Sequence, residues 1–232
     1  MAFLSIIHEA DAEAERLTER WRQQLTDIPA GKPRSRLARA LLADLLQGGI
    51  GGAETYWNLK KEPSGRPILR CENDVPTPSV SMAHSGGWIA CAFSKEGEIG
   101  VDLEVANPHR DWRGIAEACF GPLEIGRVEQ EGVDGFYRIW SLREAMAKAT
   151  GHGLAQVTDR RDRAEHGPAT GIWSRRFDES HWQLAHDRHD GEFNLAVAIR
   201  QDDGLTAGDR IELNWWRWPA KLQKMRFVES AH

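Results

Sequence analysis

Cysteine is scarce in this chain, and so is lysine. The three cysteines, Cys71, Cys91 and Cys119, are far apart and no C-x-x-C pair occurs, which excludes a disulfide framework and a zinc ribbon. Lysine supplies seven of the 30 basic residues and arginine the other 23. The planar guanidinium forks onto phosphate and carboxylate, so the bias suits oxyanion recognition; a GC-rich genome would produce the same bias without any function. An excess of positive charge is also missing. With a net charge of −5, the chain as a whole lacks the electrostatic footprint of a nucleic-acid or membrane-surface binder. No apolar run approaches the ~20 residues that cross a bilayer. The opening MAFLSIIHEADAEAERL has no basic stretch before its apolar residues and turns acidic after them, so it is not read as a signal peptide. The expectation is a soluble protein of a reducing compartment, the cytoplasm.

What is present is enough apolar material for a sizeable core: 41% hydrophobic residues and ten tryptophans in 232 residues. Residues 9–25 have the pattern of an amphipathic helix, and KPRSRLARALLADLLQGG that of a clearer one, with Leu37, Leu41, Leu42 and Leu45 as its apolar stripe and Gly48-Gly49 as its stop. Arg34, Arg36 and Arg39 line the first half of that helix. Cations there oppose the macrodipole, so they are either a solvated face or an anion site. After the turn EPSGRPIL come SVSMAH, WIACAFS and EIGVDLEV, separated by SGG and KEG; this spacing predicts an antiparallel meander. FYRIWSLREAMAKAT predicts a helix ended by Gly151, and GIWSRRF, HWQLAHD, FNLAVAIR and RIELNWWRW predict strands. The His-rich HWQLAHDRH is read as surface and not as a metal site. Helix followed by strands occurs in both parts of the chain, a hint of structural duplication within an α+β fold.

Two segments carry chemistry. In EIGVDLEV, Ile99, Val101, Leu103 and Val105 alternate with Gly100, Asp102 and Glu104. Two carboxylates on one strand face repel unless water or a cation separates them. For the pair alone a half-exposed polar face is the preferred explanation, and Gly100 is read as opening that face to a ligand. In the later helix Ile139, Leu142, Met146 and Ala149 form a core stripe, while the adjoining row Phe136, Trp140, Glu144, Lys148 turns from apolar to charged. As an exposed pair Glu144 and Lys148 would contribute only ~0.3–0.5 kcal/mol. At the edge of a buried stripe they could do electrostatic work instead. Asp102, Glu104 and Glu144 together would fill about half of an octahedral Mg²⁺ shell, leaving room for phosphate oxygens and water.

IGVDLE followed by FYRIWSLREAMAKATGHGL resembles the two-part signature of the 4′-phosphopantetheinyl transferases of the surfactin-synthetase-activating type. SMAHSGGWIACAF, SGRPIL and RALLADLL resemble that family's Ser-His-Ser strand and turn, Gly-Lys-Pro loop and N-terminal basic helix, in the family's order. The resemblance implies an α+β pseudo-dimer of two similar halves, each a helix on a small antiparallel sheet, divided here as 1–97 and 98–232. It implies a holo-[acyl-carrier-protein] synthase activity. Phosphopantetheine would pass from coenzyme A to a serine of an apo acyl, peptidyl or polyketide carrier protein in fatty acid, polyketide or nonribosomal peptide biosynthesis, with release of 3′,5′-ADP. Asp102, Glu104 and Glu144 match the family's Mg²⁺ ligands, with Mn²⁺ as a substitute, and Glu144 its general base. Lys148 matches the lysine on the coenzyme A phosphates, His84 a histidine on the pyrophosphate, and Arg39 and Arg66 basic positions near the 3′-phosphoadenosine end. The chain departs from the pattern at Arg143, Arg66 and Ala83, where the family has Lys, Lys and Ser. Two other readings keep some of these features: a Mg²⁺-dependent phosphotransferase on another nucleotide, and a module that binds coenzyme A or a carrier without turnover. Arg110, Arg113, Arg127 and Arg138 are candidates to meet an acidic carrier. No nucleic acid, no membrane and a monomer are expected.

Overall fold

The computed structural model describes residues 2–50, 58–63, 65–70, 77–154, 171–177, 180–189, 191–201, 213–217 and 223–224; Cys71 lies outside them. The order is β1 (Ala2–His8), α1 (Ala12–Arg20), a 3₁₀ turn (Arg22–Leu25), α2 (Pro33–Ile50), β2 (Asn58–Lys61), β3 (Pro67–Arg70), β4 (Ser79–Ser85), β5 (Trp88–Ser94) and β6 (Ile99–Glu104). Then come α3 (Trp112–Cys119), α4 (Pro122–Glu131), α5 (Val133–Thr150), β7 (Gly171–Phe177), β8 (Ser180–His189), β9 (Phe193–Gln201), β10 (Leu213–Arg217) and β11 (Gln223–Lys224). The mixed α/β character agrees with the expectation. No helix of the described residues is long and apolar enough to cross a membrane.

The strands form two main sheets, β11-β10-β1-β5-β4 and β6-β9-β8-β7, and a separate β2-β3 hairpin. β1 went unassigned in the sequence reading. It is antiparallel to β5 and parallel to β10, so strands from the two ends of the described chain meet in one sheet. Alternation places Leu4, Ile6, Ala90 and Ala92 of the first sheet in one cluster with Val101, Leu103, Leu195 and Val197 of the second. The opposite face of the first sheet, through Ile7, Ile89, Cys91 and Phe93, packs on α1 and α2. The opposite face of the second, through Trp182, Leu184, Ala196 and Ala198, packs on α5. Two sheets thus share a core between two helical layers.

Three expectations need correction here. The meander stops after β5, because β6 pairs antiparallel with β9 in the second sheet. What joins β6 to β4 is a row of hydroxyls: Ile99, Val101 and Val105 donate their backbone N–H groups to Ser79, Ser81 and Ser85 Oγ at 3.1, 3.0 and 3.1 Å. The edge strand of one sheet thereby satisfies its outward donors on side chains of the other, where no backbone ladder could reach. Helix α2 does not stop at Gly48-Gly49 but runs on to Ile50. Gly49 lies against Phe93, whose Cζ would sit 2.4 Å from any Cβ there, so this glycine lets the helix cross the sheet. HWQLAHDRH is not a surface strand: Trp182, Gln183, Leu184, Ala185 and His186 of β8 are buried.

Ser81 is buried and accepts from a fully buried strand position. Ser81→Ala would leave the Val101 N–H without that acceptor and should lower stability by about 1–3 kcal/mol. Chemical denaturation is the check; Ser81→Thr, which keeps the hydroxyl, should recover part of the loss.

Candidate active site

The site begins with a contact between backbones. At Gly100, on the α5-facing side of β6, a Cβ would lie 1.9 Å from the Ala145 carbonyl oxygen and 2.6 Å from the Ala149 amide nitrogen. Gly100 is thus required by α5 and does not open the strand face to a ligand. This close approach sets the next residue of that face, Asp102, against the helix that carries Glu144 and Lys148. Lys148 Nζ donates to Asp102 Oδ1 at 2.7 Å, so the lysine reaches across to the strand. Asp102 is 4% exposed, and its other oxygen, Oδ2, is buried with no hydrogen-bond partner.

Glu104 follows Asp102 on the same face. Its Oε1 accepts from Trp140 Nε1 at 3.2 Å and its Oε2 from Ser85 Oγ at 3.3 Å, while Arg110 Nη1 stands 3.6 Å from Oε1. Burial first, and then the charge of Asp102, push the Glu104 carboxyl above the usual range; Arg110, Trp140 and Ser85 work the other way. The Glu144 carboxyl is also pushed up, by burial and then by Asp102, against the attraction of Lys148. The charge of Asp102 thus acts on both Glu104 and Glu144.

The donor set fits a hard divalent cation: all oxygen, mutually repelling, and with one buried carboxylate oxygen left unsatisfied. Lys148 and Arg110 hold part of that charge as the side chains stand. Among the described residues, no three His, Cys, Asp or Glu side chains are arranged as a metal-holding group.

Glu144, Lys148 and Arg66 open onto a pocket of about 310 Å³. Arg39 and His84 line an adjoining cleft of about 630 Å³, together with Lys32, Arg34 and Lys61. Gly65, Pro67 and Met82 belong to the walls of both. Arg66 thus shares a pocket with Glu144, and it is held by Glu98 at 3.2 Å and by Ser79 Oγ at 3.2 Å. The three arginines of α2 divide their work. Arg36 donates to the Leu25 and Ile28 carbonyls and secures the 3₁₀ turn. Arg34 forks onto Glu9 at 2.7 and 2.8 Å, and Arg39 meets Asp27 at 3.4 Å.

Arg143, next to Glu144 in sequence, points away from the cleft. It is buried against Glu124 of α4, with Nε donating to Oε1 at 3.0 Å and the guanidinium over Phe120. Arg138 is buried with Glu131, which removes it from the carrier-facing candidates. Sequence reading also missed the partners of Glu104. Ser85 lies inside the quoted SMAHSGG and Trp140 in the row ending at Lys148, but neither spacing says which carboxylate it serves.

Removing one member of a buried ion pair leaves the other uncompensated, at a cost of about 3–5 kcal/mol. Arg143→Met should lower the thermal midpoint by that mechanism, and the double change with Glu124→Leu should recover much of it. Independent, additive losses would show that the pair is not the clamp between α4 and α5.

The sequence profile of the 4′-phosphopantetheinyl transferase superfamily matches residues 98–198. A Synechocystis sp. protein provisionally named a 4′-phosphopantetheinyl transferase is 30% identical over 167 residues, 68% of this chain and 65% of its own. The 4′-phosphopantetheinyl transferase AcpT of Salmonella typhimurium is 39% identical over 82 residues, 33% of this chain and 42% of its own. The 4′-phosphopantetheinyl transferase Sfp of Bacillus subtilis is 33% identical over 99 residues, 41% of this chain and 42% of its own. The chain thus spans less than two thirds of the length of each of these relatives. The profile match runs from the residue before β6 through α5 into β9, so it takes in the carboxylate strand and the helix that faces it. On that ground residues 98–198 carry the sequence pattern of the 4′-phosphopantetheinyl transferase superfamily.

Proposed function

We propose that this chain transfers 4′-phosphopantetheine from coenzyme A to a serine of an apo acyl, peptidyl or polyketide carrier protein and releases 3′,5′-ADP. The observation that carries the reading is the shared wall between two chemically different spaces. One holds Glu144 and Lys148; the other is basic, with Lys32, Arg39, Lys61 and His84 on its lining. A ligand with a reacting pyrophosphate at one end and a phosphorylated nucleotide at the other matches that pair.

In this reading the serine hydroxyl oxygen attacks the phosphorus that bears pantetheine. A new O–P bond forms there, and the bond to the 3′,5′-ADP oxygen breaks. Glu144, whose basicity is raised by burial and by Asp102, takes the hydroxyl proton. Lys148 turns its ammonium toward the charge that grows on the leaving oxygen. Asp102, Glu104 and Glu144 would hold Mg²⁺ or Mn²⁺, which supplies neutralisation of the pyrophosphate. Arg39 and His84 receive phosphate oxygens in the cleft, with Arg66 at the junction. In-line displacement at phosphorus asks mainly for positioning and charge. We further read the fold as two tandem halves with coenzyme A between them, acting as a monomer in the cytoplasm on an acidic carrier.

The test is intact-mass analysis of several apo carrier proteins incubated with the chain, coenzyme A and Mg²⁺. A gain of one phosphopantetheine is expected. Lys148→Met should slow it by ~10²–10³-fold and Glu144→Gln by ~10²–10⁴-fold, with coenzyme A still bound. Dephospho-coenzyme A should serve poorly; equal use of both would favour the reading as a phosphotransferase on other nucleotides. Coenzyme A binding with no transfer to any carrier would leave the non-catalytic module standing instead.

A further inference from the structure

Arg110 follows β6 by six residues and sits just before α3. Its segment is pinned to α5: the Asn107 backbone N–H donates to Tyr137 Oη at 2.8 Å, and the Arg110 N–H donates to the Asn107 carbonyl at 3.2 Å. The guanidinium is packed against two rings of α5, 5.6 Å from the centroid of Trp140 and 5.8 Å from that of Tyr137. Its Nη1 is buried without a hydrogen-bond partner and lies 3.6 Å from Glu104 Oε1. That distance is too long for a hydrogen bond and short for a Coulombic contact in a half-dry site. The field of Arg110 reaches Glu144 as well, where it opposes the effect of burial. An arginine packed on aromatic faces and aimed at carboxylates is placed for charge within the site.

The cluster then has three carboxylates, Asp102, Glu104 and Glu144, against two cations, Lys148 on Asp102 and Arg110 on Glu104. We propose that Arg110 is a resident cation of this cluster, compensating Glu104 while no metal is bound and thereby weakening the binding of a divalent cation until an anionic co-substrate arrives. The inference rests on the reading of Asp102, Glu104 and Glu144 as metal ligands. Arg110 acts through those carboxylates, as a positioning residue. Its charge disfavours a second cation nearby, and the pyrophosphate of a substrate would offset that repulsion.

The experiment compares the full chain with Arg110→Gln, Arg110→Lys, Glu104→Gln and the double variant Arg110→Gln/Glu104→Gln. Two readouts are taken without coenzyme A or carrier: the thermal midpoint in chelator, and Mn²⁺ binding followed by the electron paramagnetic resonance of the free ion. Arg110→Gln should lower the metal-free midpoint by roughly 2–4 °C and tighten Mn²⁺ binding by roughly three- to tenfold. Arg110→Lys, which keeps the charge, should stay near the wild type in both, and Glu104→Gln should restore the midpoint in the double variant. Unchanged midpoint and affinity in Arg110→Gln would overturn the proposal, as would weaker Mn²⁺ binding. If Arg110→Gln takes up no Mn²⁺ either, the metal reading fails by itself. The compensation of Glu104 by Arg110 is then decided by the midpoints alone, and additive losses in the double variant overturn it.

Discussion

Everything in the site follows from how closely α5 can lie on β6. A helix normally rests on a sheet through side chains. At Gly100 the side chain is missing, and the Ala145 carbonyl occupies the space where a Cβ would be. The helix therefore settles onto the strand, and long side chains on its near edge reach the strand residues. Lys148 can bond Asp102 only because of that descent. Asp102 is almost wholly buried as a result, so a carboxylate that would otherwise be hydrated has to find its compensation within the protein.

Charge compensation is local at each step of the site. Lys148 serves Asp102, Arg110 stands by Glu104, and Glu98 holds Arg66. The cleft beyond shows the same habit, with Arg34 on Glu9 and Arg39 on Asp27. These outer pairs are partly exposed and contribute little to stability. The inner pairs are drier and fix geometry.

Much of this was legible in the residues. The alternation in EIGVDLEV gave the two faces of β6 correctly, and the two stripes of FYRIWSLREAMAKAT gave the buried and charged rows of α5, because periods of 2 and 3.6 are written directly into the order of residues. The α-left Gly151 ended that helix as read. What could not be read was set by partners distant in the chain. Gly49 and Gly100 look like a stop and an opening until Phe93 and Ala145 are placed beside them. The meander failed at β6 because turn residues between strands say that the chain reverses, not which sheet the next strand joins. Arg36, Arg110, Arg138 and Arg143 share a residue type and divide among a carbonyl clamp, a carboxylate cluster and two ion pairs, and only the fold sorts them.

Strand β4 has two jobs on its two faces. Ser79, Ser81 and Ser85 grip β6, while Met82 and His84, from the alternate positions, stand in the wall of the cleft. The hydroxyl rungs repeat at a constant offset of 20 residues between acceptor and donor, with Ala83 opposite Leu103 as the one position that offers no hydroxyl. The seam is therefore a ruler: it indexes the carboxylates of β6 against the cleft residues of β4 in steps of two residues. A slip along it would move the carboxylates relative to His84 by a whole repeat, never by a fraction. The span between the carboxylates and the basic cleft is thus quantised by the pleat, and any ligand that bridged the two would have to match that length with its own torsions.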